Sequence, residues 1–213
     1  MEVGGFLTYT HIIFDFDGTL VDSVIVQNKI LNKLAAKHHF NNISPEDFKS
    51  RDNLTLRKKL CMLSLVVRIQ SEFKAFYHEN IPAIKPFDGL LDTLSLLHEN
   101  GYKIAIISSN AAENVSRFLE LSNIMYDISV ISSKGLFGKH KAFAEFVKQH
   151  HCKVEDILYI GDEIRDVKAC NKSGIDIAFV KWGFDANKDI TSYPIKFIAS
   201  SPLELQQFLL PTF

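Results

Sequence analysis

Residues 11–20 read HIIFDFDGTL and join an apolar run to a pair of aspartates. Its first four residues form a strongly apolar run without polar alternation, which is typical of a strand covered on both faces of a parallel sheet. Asp15 and Asp17 follow directly and, being two residues apart, point to the same side of an extended chain. Two anions this close raise the pKa of one carboxyl unless a cation lies between them, so the pair predicts a bound divalent metal ion.

Apolar runs of the same kind recur along the chain and predict five further strands. These runs lie at residues 104–107, 128–131, 157–160, 175–180 and 197–198. Amphipathic helical patterns separate them, for example the leucine stripe over residues 90–97. Regular alternation of strands and helices predicts an α/β fold, with a Rossmann-like parallel sheet and helices on both faces.

The segment between the first two predicted strands breaks this alternation. It contains no convincing strand and is typical of several helices, at residues 24–38, from a capped start at 44–47, and at 54–65 and 66–79. Such an insert leaves and re-enters the sheet near the end of the first strand, where it can act as a lid. We therefore predict an α/β core of residues 1–22 and 86–213 and a small all-helical cap of residues 23–85.

The composition excludes several classes of function. The chain has 24 basic and 25 acidic side chains, so no global positive field favours a nucleic-acid partner. No apolar stretch is long enough to span a membrane, and the first ten residues do not look like a signal peptide. Three scattered cysteines form no disulfide framework. We therefore expect a soluble, cytoplasmic protein, and nothing in the sequence predicts its oligomeric state.

A second acidic motif follows the predicted strand at 157–160. Asp162 stands at the end of that strand, and Asp166 comes one helical turn later. The motif alone also suits an ordinary helix start. Because the carboxyl ends of parallel strands share one edge of the sheet, however, these residues should converge with Asp15 and Asp17. Magnesium prefers oxygen ligands and retains several waters, so the four carboxylates predict a Mg²⁺ site.

Two further features could bind phosphate at the same edge. Ser109 and Asn110 follow the predicted strand at 104–107, where a hydroxyl and the amides that open a helix form a phosphate cradle. Lys139 or Lys141 opens a later helix, from which an ammonium could reach the site. Locally, the first pair is equally consistent with a helix cap, and either lysine with a solvated surface residue.

Taken together and in this order, these motifs resemble those of the haloacid dehalogenase superfamily of phosphohydrolases. Residues 15–19 match the first family motif, Ser109 the second, and Gly161–Asp162 with Asp166 the fourth. The insert is similar to the helical cap of that family's first class. Residues 135–139 and 181–184 look like the phosphoglycolate phosphatase-like branch.

The third family motif is a lysine. Its spacing to Gly161 favours Lys139, with 21 intervening residues, over Lys141, with 19, and both assignments stay open.

The resemblance implies a role for each acid. Asp15 would attack phosphorus and form an aspartyl-phosphate. Asp17 would protonate the leaving oxygen and later deprotonate the attacking water. Mg²⁺ would bind Asp15, the backbone carbonyl of Asp17, and Asp162, with Asp166 supporting it directly or through water.

The resemblance also implies which residues hold the phosphoryl group. Ser109, Asn110 and Lys139 would bind its oxygens while charge redistributes in the transition state. Dehalogenases attack carbon and need neither Mg²⁺ nor a second acid, so Asp17 favours phosphoryl transfer.

We therefore predict a Mg²⁺-dependent phosphatase that acts on a small phosphorylated metabolite, with phosphoglycolate-like substrates suggested by the branch. One alternative is a phosphomutase of the β-phosphoglucomutase type, which returns the phosphoryl group to a sugar. Another is a non-catalytic binding or regulatory protein on the same fold. In the cap, a basic cluster could contact a second anionic group of the substrate or be a solvated helix face: Lys49, Arg51, Arg57, Lys58 and Lys59.

Overall fold

A parallel sheet lies at the centre of the fold in the computed structural model, which describes residues 9–39, 71–133 and 138–210. Within these ranges the chain forms eight strands. They are β1 (His11–Phe14), β2 (Val21–Asp22), β3 (Lys85–Pro86), β4 (Lys103–Ser108), β5 (Ser129–Ser132), β6 (Ile157–Gly161), β7 (Asp176–Val180) and β8 (Phe197–Ala199).

Helices connect the strands in the same ranges. They are α1 (Val24–Lys37), α2 (residues 71–80), α3 (Leu90–Glu99), α4 (Ala112–Leu121), α5 (Lys139–His150), α6 (Ile164–Ser173) and α7 (Pro202–Leu209). Two short 3₁₀ turns, Ile81–Ala83 and Val154–Asp156, precede β3 and β6. The start of α7 follows its sequence signal, because Ser201 Oγ accepts a hydrogen bond from the Glu204 amide at 3.2 Å.

Six strands form one sheet in the order β5-β4-β1-β6-β7-β8, and every neighbouring pair is parallel. The predicted Rossmann-like α/β fold is confirmed, and all six predicted strands are present with ends that differ by at most one residue. The first strand lies between β4 and β6, so Phe14 pairs with Ile106 on one side and Ile160 on the other. Side chains that follow these three strands are therefore neighbours.

Helices cover both faces of the sheet. On β1, Ile13 belongs to one buried cluster, and Ile12 and Phe14 belong to the other, because successive side chains of a strand point to opposite faces. One cluster includes side chains of α3, α4 and α7, and the other includes side chains of α5 and α6. Burial on both faces explains why these strands are apolar runs without polar alternation.

The predicted insert leaves and re-enters the core through adjacent chain segments. Val21 pairs with Pro86 and Asp22 with Lys85 in a short antiparallel ribbon, β2–β3. Residues 24–37 and 71–80 are helical, as expected for a helical insert. The predicted helix start at 44–47, the helix at 54–65, the first residues of the helix at 66–79 and the basic cluster lie outside the described residues. The predicted boundaries of core and cap stay a prediction.

Two other expectations concern the environment of the protein. No helix in the described ranges has the length and apolar character needed to cross a membrane. Cys152 and Cys170 are free thiols, and Cys61 lies outside the described residues. The cytoplasmic location stays a prediction.

Candidate active site

Residues from all four motifs meet at the carboxyl edge of the sheet. Asp15 follows β1, Ser109 follows β4 and Asp162 follows β6, and these three strands are neighbours. This is the edge at which ligands bind in open α/β sheets. Lys139, at the start of α5, extends its ammonium to the same place.

Three carboxylates form the centre of the site. Asp15, Asp162 and Asp166 each offer an oxygen within 4.8 Å of the others. Their exposed fractions are 2%, 0% and 0%. Burial, together with the neighbouring negative charges, raises the pKa of Asp162 well above its usual range and that of Asp166 to about 7. Such a cluster is ionised at neutral pH only when cations compensate it.

Lys139 supplies one of these cations. Its ammonium donates to Asp15 Oδ2 at 2.5 Å, to Asp166 Oδ1 at 2.7 Å and to the Tyr159 hydroxyl at 2.6 Å. Burial alone would lower the pKa of Lys139, but the two carboxylates outweigh it and hold that pKa above its ordinary value. Lys141 is exposed on α5, so the structure brings only the first of the two candidate lysines into the site.

The carboxylate oxygens of the site suit a divalent cation. Asp166 Oδ2 is buried and has no hydrogen-bond partner among the described residues. Asp162 accepts from the Thr19 hydroxyl at 2.7 Å and the Phe184 amide at 2.6 Å, which fixes its orientation. Three carboxylate ligands, one of which has an oxygen without a hydrogen-bond partner, suit a hard ion such as Mg²⁺. These residues could therefore hold the metal that the sequence predicts.

The loops around Asp162 leave no room for larger side chains. A Cβ atom added to Gly183 would lie 2.1 Å from Asp162 Oδ2, and one added to Gly18 would lie 2.5 Å from it. Gly18 also has a φ of +81°, a conformation that other residues rarely adopt. The glycine of the first motif is thus required by the close approach of its backbone to Asp162.

The carboxylate of Asp17 lies apart from the three clustered carboxylates. Its Oδ1 accepts from the Tyr77 hydroxyl at 2.5 Å and from Gln27 Nε2 at 2.8 Å, and its Oδ2 accepts from Asn110 Nδ2 at 2.8 Å. Burial raises the pKa of Asp17. Hydrogen bonds from Tyr77 and Asn110 favour the ionised carboxylate and oppose this rise. A metal contact through the backbone carbonyl of Asp17 stays a prediction.

The two residues after β4 have different environments. Ser109 is exposed, and its hydroxyl lies 3.5 Å from Arg165 Nη2. Asn110 uses its amide group on Asp17 and its Oδ1 on the Ala111 amide and Asn114. A direct phosphate contact stays a prediction for both residues, and the described contacts of Asn110 orient Asp17.

Several residues of the site were not found by the sequence analysis. Thr19 lies inside the first motif and Arg165 inside the fourth. The spacing of the motifs alone gave neither residue a role. Nothing local distinguished the others, which approach from distant helices or from inside a strand: Gln27, Tyr77 and Tyr159.

Comparisons with known proteins identify relatives of this chain. Residues 12–180 match the family model of the haloacid dehalogenase-like hydrolases. A phosphoglycolate phosphatase of Synechococcus elongatus is 27% identical over 201 residues, covering 92% of this chain and 95% of the relative. A pyrophosphatase PpaX of Anoxybacillus flavithermus is 23% identical, covering 93% and 95%.

Solved structures show the same fold. A haloacid dehalogenase-like family hydrolase of Streptococcus pneumoniae aligns with a TM-score of 0.79 at 22% identity, covering 95% of this chain and 99% of that one. CbbY of Rhodobacter sphaeroides, determined in complex with phosphate, aligns with a TM-score of 0.72 at 13% identity, covering 91% and 94%. The resemblance inferred from the motifs is confirmed: this chain belongs to the haloacid dehalogenase-like hydrolase family.

Proposed function

We propose that the protein is a Mg²⁺-dependent phosphatase that hydrolyses a small phosphate monoester through an aspartyl-phosphate. The observation that carries this proposal is the buried carboxylate of Asp15, held by Lys139 beside two further carboxylates. A nucleophile, a cation and a set of metal ligands therefore lie together at the carboxyl edge of the sheet. The phosphatase names of the relatives at 27% and 23% identity support the same reaction class.

Asp15 is prepared to act as the nucleophile. Burial alone would raise the pKa of its carboxyl, but the Lys139 ammonium outweighs this and holds that pKa below its usual range. The Phe16 amide also donates to Oδ1 at 2.7 Å and fixes the rotamer. Asp15 is therefore ionised at neutral pH, as an attacking carboxylate must be.

The reaction follows in two balanced steps. In the first, an Asp15 oxygen forms a bond to phosphorus, the bond from phosphorus to the leaving oxygen breaks, and Asp17 gives its proton to that oxygen. In the second, water attacks phosphorus, the bond from phosphorus to Asp15 breaks, and the proton of water passes to Asp17. The raised pKa of Asp17 suits a group that starts as an acid and continues as a base.

Bound Mg²⁺ supplies positive charge that offsets the carboxylates and the phosphoryl oxygens. The residues that would hold it are Asp15, Asp162 and Asp166, of which Asp162 is oriented by Thr19. Tyr77 and Gln27 act elsewhere, on the proton carrier Asp17.

We expect Mg²⁺ to raise the midpoint of thermal unfolding, because it binds the folded site and not the unfolded chain. The rise should be larger at about pH 8 than at about pH 6, since protons compete with the metal for carboxylates of raised pKa.

The raised pKa of Asp166 also predicts how the stability of the metal-free protein depends on pH. The pKa of Asp166 is about 7 in the folded protein and 3.8 ordinarily, so stability falls as pH rises between these values.

This metal prediction is measured by thermal unfolding of the metal-free protein with and without Mg²⁺ at both pH values. Asp162→Asn should reduce the Mg²⁺-dependent rise, while Asp88→Asn, at an exposed acid outside the site, should leave it unchanged. An equal rise in native protein and in Asp162→Asn would contradict the proposed ligand set.

The proposed activity is tested by phosphate release from a panel of monoesters in Mg²⁺. Phosphoglycolate is the first candidate because the relative at 27% identity is named for it, and pyrophosphate is included because of the second relative. We expect free phosphate from at least one monoester. An isomer formed from a hexose phosphate and a bisphosphate would indicate a mutase instead, and no turnover of any compound would favour a binding protein.

A further inference from the structure

Arg165 forms an ion pair with Glu163 beside the clustered carboxylates. Its Nη2 donates to Glu163 Oε1 at 3.0 Å, and its Nε lies 2.7 Å from Glu163 Oε2 as an ion pair, although this nitrogen makes no hydrogen bond among the described residues. The side chains of Arg165 and Glu163 are 25% and 6% exposed. A hydrogen bond between charged groups of this kind is strong and holds the guanidinium beside Glu163. Arg165 therefore presents a cation at the site, part of which remains accessible.

The strand order shows where the guanidinium of Arg165 lies. Arg165 follows β6 and its Nη2 lies 3.5 Å from the hydroxyl of Ser109, which follows β4. Strand β1 lies between these two strands, so the contact passes over the end of β1, where Asp15 is located. Arg165 and Ser109 thus border the space that a group attacked by Asp15 would occupy.

Lys139 does not have enough N–H donors to bind all the oxygens of a phosphoryl group in that space. An ammonium has three N–H donors, and its contacts with Asp15, Asp166 and Tyr159 use three. A phosphoryl group on Asp15 carries additional oxygens that need further donors. The guanidinium of Arg165 has five donors in a planar fork that matches phosphate oxygens. Its hydrogen bonds to Glu163 and Ser109 both use Nη2, so other N–H groups of the fork remain for a phosphoryl group.

We propose that Arg165 donates hydrogen bonds to the transferring phosphoryl group, beside Ser109 and Lys139, as a further catalytic residue. The inference rests on the proposed function, since it requires a phosphoryl group at Asp15. A guanidinium could also bind a second anionic group of the substrate, such as a carboxylate. The position of Arg165 over the end of β1 assigns it to the phosphoryl group itself.

The test compares Arg165→Gln with native protein on two substrates in Mg²⁺. One is p-nitrophenyl phosphate, which has no second anion, and the other is phosphoglycolate, which has one. We expect kcat/KM to fall by about 10²-fold on both, as for removal of one transition-state donor. Inhibition by orthovanadate should weaken by a similar factor. A loss confined to phosphoglycolate would overturn the proposal.

Two further variants separate phosphoryl binding from a structural role. Arg117→Gln removes an exposed guanidinium on α4 and should leave kcat/KM unchanged. The double variant Glu163→Gln with Arg165→Gln removes both charges of the ion pair. If Arg165 only balances Glu163, the double variant recovers activity, which overturns the proposal. If it binds the phosphoryl group, the double variant stays impaired.

Failure of the proposed function is recognised separately. If native protein releases no phosphate from any monoester, thermal unfolding with orthovanadate and Mg²⁺ replaces kinetics as the readout. A vanadate-dependent rise in native protein that Arg165→Gln abolishes supports the inference, and the absence of that difference overturns it. Normal turnover by both native protein and Arg165→Gln overturns the inference and leaves the proposed function intact.

Discussion

Asp15→Asn is expected to abolish phosphate release, with a fall in kcat of about 10⁴-fold or more, the scale of losing a catalytic nucleophile. The amide has nearly the same shape but cannot form the phosphorus–oxygen bond of the intermediate. Initial rates of phosphate release at saturating substrate and Mg²⁺ measure the effect. Retention of activity within about tenfold of native would exclude Asp15 as the nucleophile.

The same variant should not lose activity by unfolding. Asp15→Asn removes one negative charge from three clustered carboxylates, while Lys139 keeps its contact with Asp166. Repulsion within the cluster is reduced, but the buried Lys139 ammonium loses one of its two carboxylate partners. The two effects oppose each other, so the thermal midpoint of the metal-free protein should change little. Asp88→Asn is the matched control, because it makes the same chemical change at an exposed position.

The convergence of the motif residues could be predicted from the sequence because parallel topology constrains it strongly. Once β1, β4 and β6 were recognised as apolar runs, their following residues had to share one edge of the sheet. Asp15, Ser109 and Asp162 are found at those three strand ends. The order of neighbours, with β1 in the middle, comes from pairing and could not be read from the runs alone.

The choice between Lys139 and Lys141 shows what spacing cannot decide. Both are compatible with the distance to Gly161 along the chain. Residues two apart on a helix point about 200° apart, so only one of them can face the sheet. Packing of α5 turns Lys139 inward and leaves Lys141 exposed, and that orientation depends on contacts across the whole helix.

The contacts of Asp17 were beyond prediction for a different reason. Gln27 is 10 residues away in sequence and Tyr77 is 60 residues away, and both come from the segment predicted as a cap. Neither lies in a pattern that indicates chemistry, since a glutamine and a tyrosine are ordinary helix residues. The β2–β3 ribbon was missed similarly, because two residues per strand are too few to show a period of two.

Lys139→Met is expected to affect both catalysis and stability. Methionine keeps much of the lysine stem but removes the charge that compensates Asp15 and Asp166. We expect kcat/KM to fall by about 10³-fold, because a donor near the developing charge is lost. The metal-free protein should lose about 3–5 kcal/mol of unfolding free energy, the usual cost of leaving a buried charge without its partner.

Two controls separate these effects of Lys139. Lys141→Met should change the unfolding free energy by less than about 0.5 kcal/mol and leave activity unaltered, since Lys141 is exposed. The double variant Lys139→Met with Asp166→Asn removes one uncompensated carboxylate and should recover stability without recovering activity. Denaturant unfolding and phosphate-release kinetics measure the two quantities. If Lys141→Met is inactive and Lys139→Met is active, the third family motif belongs to Lys141, and the buried ammonium is only a structural counter-ion.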